Sequence, residues 1–398
     1  MTGWSMAPAA HAPAGRVIGS SPLERAAAAA SVVGPYADEV DRDGRFPVES
    51  MAALRDARLL SCAVPVEFGG EGLGLAVLGE LAALLGRSCA STAMIFAMHQ
   101  IQVLSLARHS GTAAVGGLLA EVARDQLLLA SATTEIGIGG DVRSSTCAVE
   151  RIGDRVRLVK NAPVISYGEY ADAVLATARR NADSPPSDQV LVVCRRADTV
   201  LEPTGTWDTL GFRGTCSPGF LLTATGAADM VLDEPYAVIS AKTMLPVSHV
   251  LWASLWLGIA QSAVATARRC TQRTARSKPG SVPASAVRLA EALGAVQQFR
   301  DLVSGAAQRF DAAGVDDDVL TSIGFSLAMN NLKVTASGLV VDIVGQALLV
   351  CGISGYREDG EFRLGRNLRD AYGAALMVNN DRIMANNAQL ALVHRGVP

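Results

Sequence analysis

The sequence predicts a multidomain α+β protein: an N-terminal α-helical domain, a central β-barrel or β-sandwich domain, and a C-terminal four-helix bundle. Three observations predict it. Apolar residues recur every three or four positions between Pro22 and about Val122. Short β-type runs punctuated by Gly, Asp, Pro and Ser follow, as far as Asp233. Beyond Lys242 the apolar-periodic stretches reach the length of bundle helices. The expected divisions are a disordered tail at 1–20, a helical domain at 21–126, a β-domain at 127–241 and a helical bundle at 242–398.

The tail is rich in Ala, Pro, Gly and Ser, which bury too little to order a chain. In the helical domain Ala53, Leu54, Ala57 and Leu60 mark one helix. The run from Leu75 to Leu85 is apolar on most sides and reads as an interior helix, and His99 sits in another. Strands are predicted over 149–152, 156–159, 173–177, 189–193, 220–225 and 228–232. Helices are predicted over Val247–Arg276, Ala284–Phe310, Val319–Leu349 and Ala371–Val393. No internal repeat is present.

Composition removes several function classes. The net charge of −3 offers no basic surface, which argues against nucleic-acid binding. Hydrophobic residues make up 49% and charged residues 18%, too apolar for a disordered chain and enough to predict burial between subunits. The apolar stretch 250–267 is interrupted by Ser254, Gln261 and Ser262, so no membrane segment is expected. Seven scattered cysteines without a C-x-x-C pair point to reduced thiols in a cytoplasmic protein. The five histidines have no metal-ligand spacing, so no metal site is expected. The G-x-S-x-G, H-E-x-x-H and G-x-x-x-x-G-K-[ST] patterns are absent.

Four segments could carry chemistry. Gly69–Gly74 is glycine-rich, but a helix rather than a strand precedes it, so it reads as a helix-joining loop. Ser131–Asp141 sets hydroxyls before a glycine turn. It is either a structural turn or a loop whose backbone N–H groups approach a ligand. Trp207–Ser217 ends in Arg213-Gly-Thr ahead of a strand. Arg366–Ala371 pairs arginines with Asp370, most simply a structural ion pair.

Taken in order, these segments resemble the acyl-CoA dehydrogenase superfamily over roughly residues 22–395. Phe46–Leu60 with Val64–Gly70 is similar to its N-terminal signature. Thr134–Asp141 is similar to its T-E-P-x-x-G-S-D flavin loop, with Ile136 for proline and Gly140 for serine. Trp207–Ser217, Gly352–Tyr356 and Arg366–Ala371 are similar to its W-x-x-L-G-x-R-x-T-x-S, G-G-x-G-[YF] and R-x-x-R-D-A motifs.

The resemblance implies a homodimer or homotetramer with FAD between the β-domain and the bundle, its adenosine end reaching a neighbouring subunit. It implies flavin contacts from Ser131, Thr133, Thr134, Gly139 and Gly140, and from Val164 and Ser166, where the family has W-x-T. It implies a partner-subunit arginine at Arg273 or Arg276, and further contacts from Gly352, Asn379 and Asn380. The implied substrate pocket contains His99, Gly140, Ser248 and Val378.

In the family a glutamate removes the α-proton of an acyl thioester while hydride passes to the flavin. The two usual glutamate positions fall on Val378 and Ser248, and neither side chain can be that base. Three readings remain. In the first, the chain oxidises an acyl thioester on CoA or an acyl carrier protein, in specialised metabolism, with Asp381 or His249 as a displaced base and an electron acceptor as partner. In the second, it is a monooxygenase of the same fold using reduced FMN or FAD from a partner reductase. In the third, it is a non-catalytic binding relative.

Overall fold

A computed structural model describes residues 20–139, 141–277 and 279–396. The expected tail, Ser20 apart, and Gly140 lie outside the described residues.

The N-terminal domain holds α1 (Pro22–Asp43), α2 (Val48–Asp56), α3 (Leu75–Ser88), α4 (Ala90–His109) and α5 (Ala113–Asp125). A capping box starts α1: Ser21 Oγ accepts from Glu24 N at 3.2 Å, and the Glu24 carboxylate accepts from Ser21 N at 2.7 Å. Gly44, at φ +61°, ends it in the left-handed conformation that glycine adopts freely. Helix α4 is buried on nearly every side.

The β-domain has two sheets. Strands β1 (Leu129–Ala132), β4 (Ala173–Arg179) and β5 (Gln189–Arg195) form one in the order β1-β4-β5, with β1 and β4 parallel. Strands β2 (Glu150–Ile152), β3 (Arg155–Ala162), β6 (Thr199–Pro203) and β7 (Phe220–Ala227) form the other, antiparallel in the order β2-β3-β7-β6. Alternate residues of β3 are buried and exposed, as a one-faced strand requires. The strand expected at 228–232 is instead a 3₁₀ turn at Ala228–Met230, and Val231 alone bridges to Val192.

The C-terminal region begins with α6 (Tyr236–Ile239) and a π-turn (Ser240–Met244). Helices α7 (Leu245–Ser277), α8 (Ser285–Ala313), α9 (Asp317–Leu320), α10 (Ile323–Cys351), α11 (Ile353–Tyr356), α12 (Gly365–Tyr372) and α13 (Asn380–Val393) follow. The bundle consists of α7, α8 and α10, with α13 packed on α10. The helix expected over 371–393 is broken between α12 and α13. Val378 in that break has φ +45°, a conformation costly for a β-branched residue.

Helices α3 and α7 pack backbone to backbone across the domain boundary. A Cβ on Gly258 would lie 2.3 Å from Ala83 O, and one on Gly86 would lie 2.6 Å from Leu255 O. Only glycine permits this approach. Among the described residues three segments are long and apolar enough to cross a membrane: α4, the run Tyr236–Ser277, and α10. The first two are 83% buried within this fold, whereas α10 is 44% buried.

Candidate active site

A cavity of about 620 Å³ opens where β1, the Trp207–Ser217 loop, α4, α7 and the 373–378 break converge. Its β-side wall comes from the loop after β1. Glu135 anchors that loop: its carboxylate accepts from Cys147 N at 2.8 Å, from Thr146 N at 3.2 Å, from the Thr146 hydroxyl, and from Lys160 Nζ at 3.2 Å. Burial acts to raise the Glu135 pKa, but the Thr146 hydroxyl, the Lys160 charge and the Cys147 N–H together lower it below the usual carboxylate value. Thr133 and Thr134, ahead of this anchor, line the cavity with Ser131. Gly139 (φ +58°) has open space where a Cβ would be, and its carbonyl accepts from Arg382.

A second set of hydroxyls comes from the Trp207–Ser217 loop. Thr215 Oγ1 lies 2.8 Å from Ser217 Oγ, which donates to Ser166 Oγ at 2.9 Å, and all three residues line the cavity beside Val164. The Arg366–Ala371 motif fixes this loop and does not form the internal ion pair that its sequence suggests. Asp370 accepts from Phe212 N at 2.6 Å, while Arg369 forks onto Asp41 of α1 at 2.6 and 2.9 Å. Burial, opposed by the Arg366 charge and the Phe212 N–H, pushes Asp370 up to about 6. Arg213 Nη1 donates to Asp208 Oδ1 at 2.7 Å and to Thr209 O at 2.8 Å, closing the loop on itself.

Helix α7 supplies the facing wall with Ser248, His249 and Trp252, and the helix break supplies Val378. His249 Nδ1 lies 3.0 Å from Met329 O. Burial dominates the shift of its pKa, down to about 3, so the ring is neutral at physiological pH. Behind Val378, buried Lys333 donates to Val378 O at 2.9 Å and to Asn380 Oδ1 at 2.7 Å. Burial also lowers the Lys333 pKa, to about 8.

The cavity therefore gathers Ser131, Thr133, Thr134, Val164, Ser166, Ser248, His249 and Val378, and the other expected residues that the structure describes do not line it. Asp381 is exposed in the first turn of α13, outside the lining, because the chain breaks before it. His99 is fully enclosed between α4 and β1: Nδ1 accepts from Leu129 N at 3.0 Å and Nε2 lies 2.6 Å from Leu60 O. It joins the domains from behind and does not reach the cavity. Arg273, Arg276, Gly352, Asn379 and Asn380 also lie outside the lining; Arg273 pairs with Glu361 at 2.9 Å, and Asn379 caps α13.

Sequence reasoning missed Trp252, one turn beyond Ser248 on the same face of α7, a spacing that could have revealed it. It also missed Lys333, for which a lone lysine in an apolar helix was the available signal. Among the described residues no Asp or Glu lines the cavity. Hydroxyls dominate the β-side, and the facing side is mainly apolar and aromatic, with Ser248 and His249 as its polar members on α7. That combination suits a flat heteroaromatic group with polar edges, such as a flavin ring.

The family sequence models decide the lineage. The acyl-CoA dehydrogenase N-terminal domain matches residues 24–126, and the acyl-CoA dehydrogenase C-terminal domain matches residues 239–389. The chain belongs to the acyl-CoA dehydrogenase superfamily. A superfamily relative, cyclohex-1-ene-1-carbonyl-CoA dehydrogenase of Syntrophus aciditrophicus (strain SB), is 25% identical over 344 residues, covering 85% of this chain and 81% of its own. SfnC of Pseudomonas putida, described as a probable FMNH2-dependent monooxygenase, is 25% identical over 374 residues, covering 88% and 91%. Among solved structures, FMN-bound TdsC of Paenibacillus sp. A11-2 superposes with TM-score 0.81 at 19% identity, covering 95% of this chain and 98% of its own. Butyryl-CoA dehydrogenase of Megasphaera elsdenii does so with TM-score 0.77 at 18% identity, covering 93% and 97%. The superfamily fold thus spans both kinds of relative.

Proposed function

We propose that this chain is a flavin-dependent oxidoreductase of the oxygenating kind, taking reduced FMN or FAD from a separate reductase and acting on a compact apolar substrate. One observation carries the reading: among the described residues no carboxylate borders the cavity. Oxidation of an acyl thioester needs a base within about 3 Å of the α-carbon. Val378 and Ser248 cannot serve, Asp381 lies outside, and His249 is held neutral with too little basicity. Oxygenation removes that requirement.

When bound, the flavin supplies the redox chemistry. The chain's residues do the rest. Ser131, Thr133 and Thr134 bind polar edges, and the Thr215–Ser217–Ser166 hydroxyls orient them. Val164, Trp252 and Val378 give the cavity apolar surface for the ring to lie against. SfnC, a probable FMNH2-dependent monooxygenase, and FMN-bound TdsC support this reading.

The second reading is oxidation of an acyl thioester, on CoA or a carrier protein, with an electron-transfer partner. The cyclohex-1-ene-1-carbonyl-CoA dehydrogenase relative favours it. One experiment separates the two. With oxygen, reductase and reduced flavin, an oxygenase consumes oxygen in proportion to an apolar acceptor substrate. Under anaerobic conditions, bleaching of bound flavin by acyl thioesters, without oxygen uptake in the first assay, would overturn the oxygenase reading.

The assembly we infer is a homodimer or homotetramer. Leu349 at the end of the half-buried α10 and Ile353 and Tyr356 of the adjoining α11 stand 62–73% exposed, and a second copy would cover them. A cytoplasmic location accords with seven cysteines that are all free thiols.

A further inference from the structure

The α7 wall of the cavity presents a hydrogen-bond acceptor in an apolar setting. His249 Nδ1 lies 3.0 Å from the Met329 carbonyl, which can only accept. The proton therefore sits on Nδ1, and Nε2 carries a lone pair. Two hydroxyls that line the same cavity are committed elsewhere. Ser248 Oγ donates to Met244 O at 2.5 Å, and Tyr236 OH to Met244 Sδ at 3.4 Å. Gln102 Oε1 and Trp252 Nε1 also lack partners, but both atoms are enclosed by protein. Met94, Met98 and Ile101 of α4 add apolar lining.

We propose that His249 is a specificity-determining residue whose Nε2 accepts a hydrogen bond from an N–H or O–H group on an otherwise apolar, compact substrate. The proposal rests on reading this cavity as the substrate site. A ligand without a donor leaves the imidazole nitrogen dehydrated and unpaired, which costs affinity; a ligand with one restores the bond lost to water. Burial keeps the ring neutral, so the acceptor persists across the working pH range. Charge is not part of this recognition.

Indole and benzothiophene test it directly, because they share a shape and differ by N–H against sulfur. Binding of each to the full-length protein is measured by titration calorimetry. Indole is expected to bind about tenfold more tightly. In His249→Phe the ratio should fall to about one, and in His249→Gln, which keeps an acceptor, the preference for indole should return. Should either variant fail to fold, the wild-type ratio alone decides. Equal affinities in the wild type, no saturable binding of either probe, or a preference that survives in His249→Phe would overturn the proposal. A tenfold ratio without oxygen consumption would count against the oxygenase reading and leave the role of His249 standing.

Discussion

Two buried histidines behave differently from what their positions in the sequence suggest. His99 and His249 are enclosed, each bonded to backbone, and burial lowers their pKa values to about 4 and about 3. Unfolded histidine titrates near 6.5, so as pH falls below that value the unfolded chain takes up protons that the native chain refuses. Stability is therefore lost on the acid side, by about 1.4 kcal/mol per pH unit for each histidine between pH 6.5 and 4. Urea unfolding at pH 7, 6 and 5 should show this slope, and His99→Gln should reduce it by about half. A profile flat from pH 7 to 5 would contradict the burial of these rings as neutral groups. The sequence placed His99 on a helix correctly but could not orient it. With fifteen of the twenty residues of α4 buried, no polar face marks which side meets the cavity.

At the scale of elements, the contact between α3 and α7 holds the helical domain on the bundle and thereby positions Ser248, His249 and Trp252. Gly258→Ala would drive a methyl group to 2.3 Å from Ala83 O, where neither backbone can yield. Overpacking of this kind costs about 1–3 kcal/mol or more. The variant should show a lowered urea midpoint with an unchanged m-value; unaltered stability would show that the helices are farther apart than described. The order of helices and strands was legible because periodicities of 3.6 and 2 alternate in long blocks. The break between α12 and α13 was not. Gly373 marks the end of α12, but no proline or glycine within four residues of Val378 announces a left-handed turn there, and Lys333, forty-five residues earlier, holds its carbonyl at 2.9 Å. A tertiary bond of that reach has no local signature. Counting residues along an unbroken helix consequently put Asp381 one turn from the site, whereas the chain carries it outside.

For the whole molecule, the exposed apolar end of α10 predicts that sizing chromatography gives a dimer or tetramer, and a monomer at micromolar concentration would contradict the covered face. Assembly also bears on the cofactor. Arg273, Arg276 and Gly352 lie away from the cavity of their own chain, so any role in holding flavin falls to a neighbouring copy. The claim on which the remainder depends is that the hydroxyl-lined cavity beside Thr134 admits a flavin. Anaerobic titration of the purified protein with FMN and FAD, oxidised and reduced, tests it most directly. Saturable binding of at least the reduced form, weakened by at least tenfold when Thr134 and Ser166 are both changed to valine, is the predicted result. Failure of both flavins to bind in either oxidation state would contradict it.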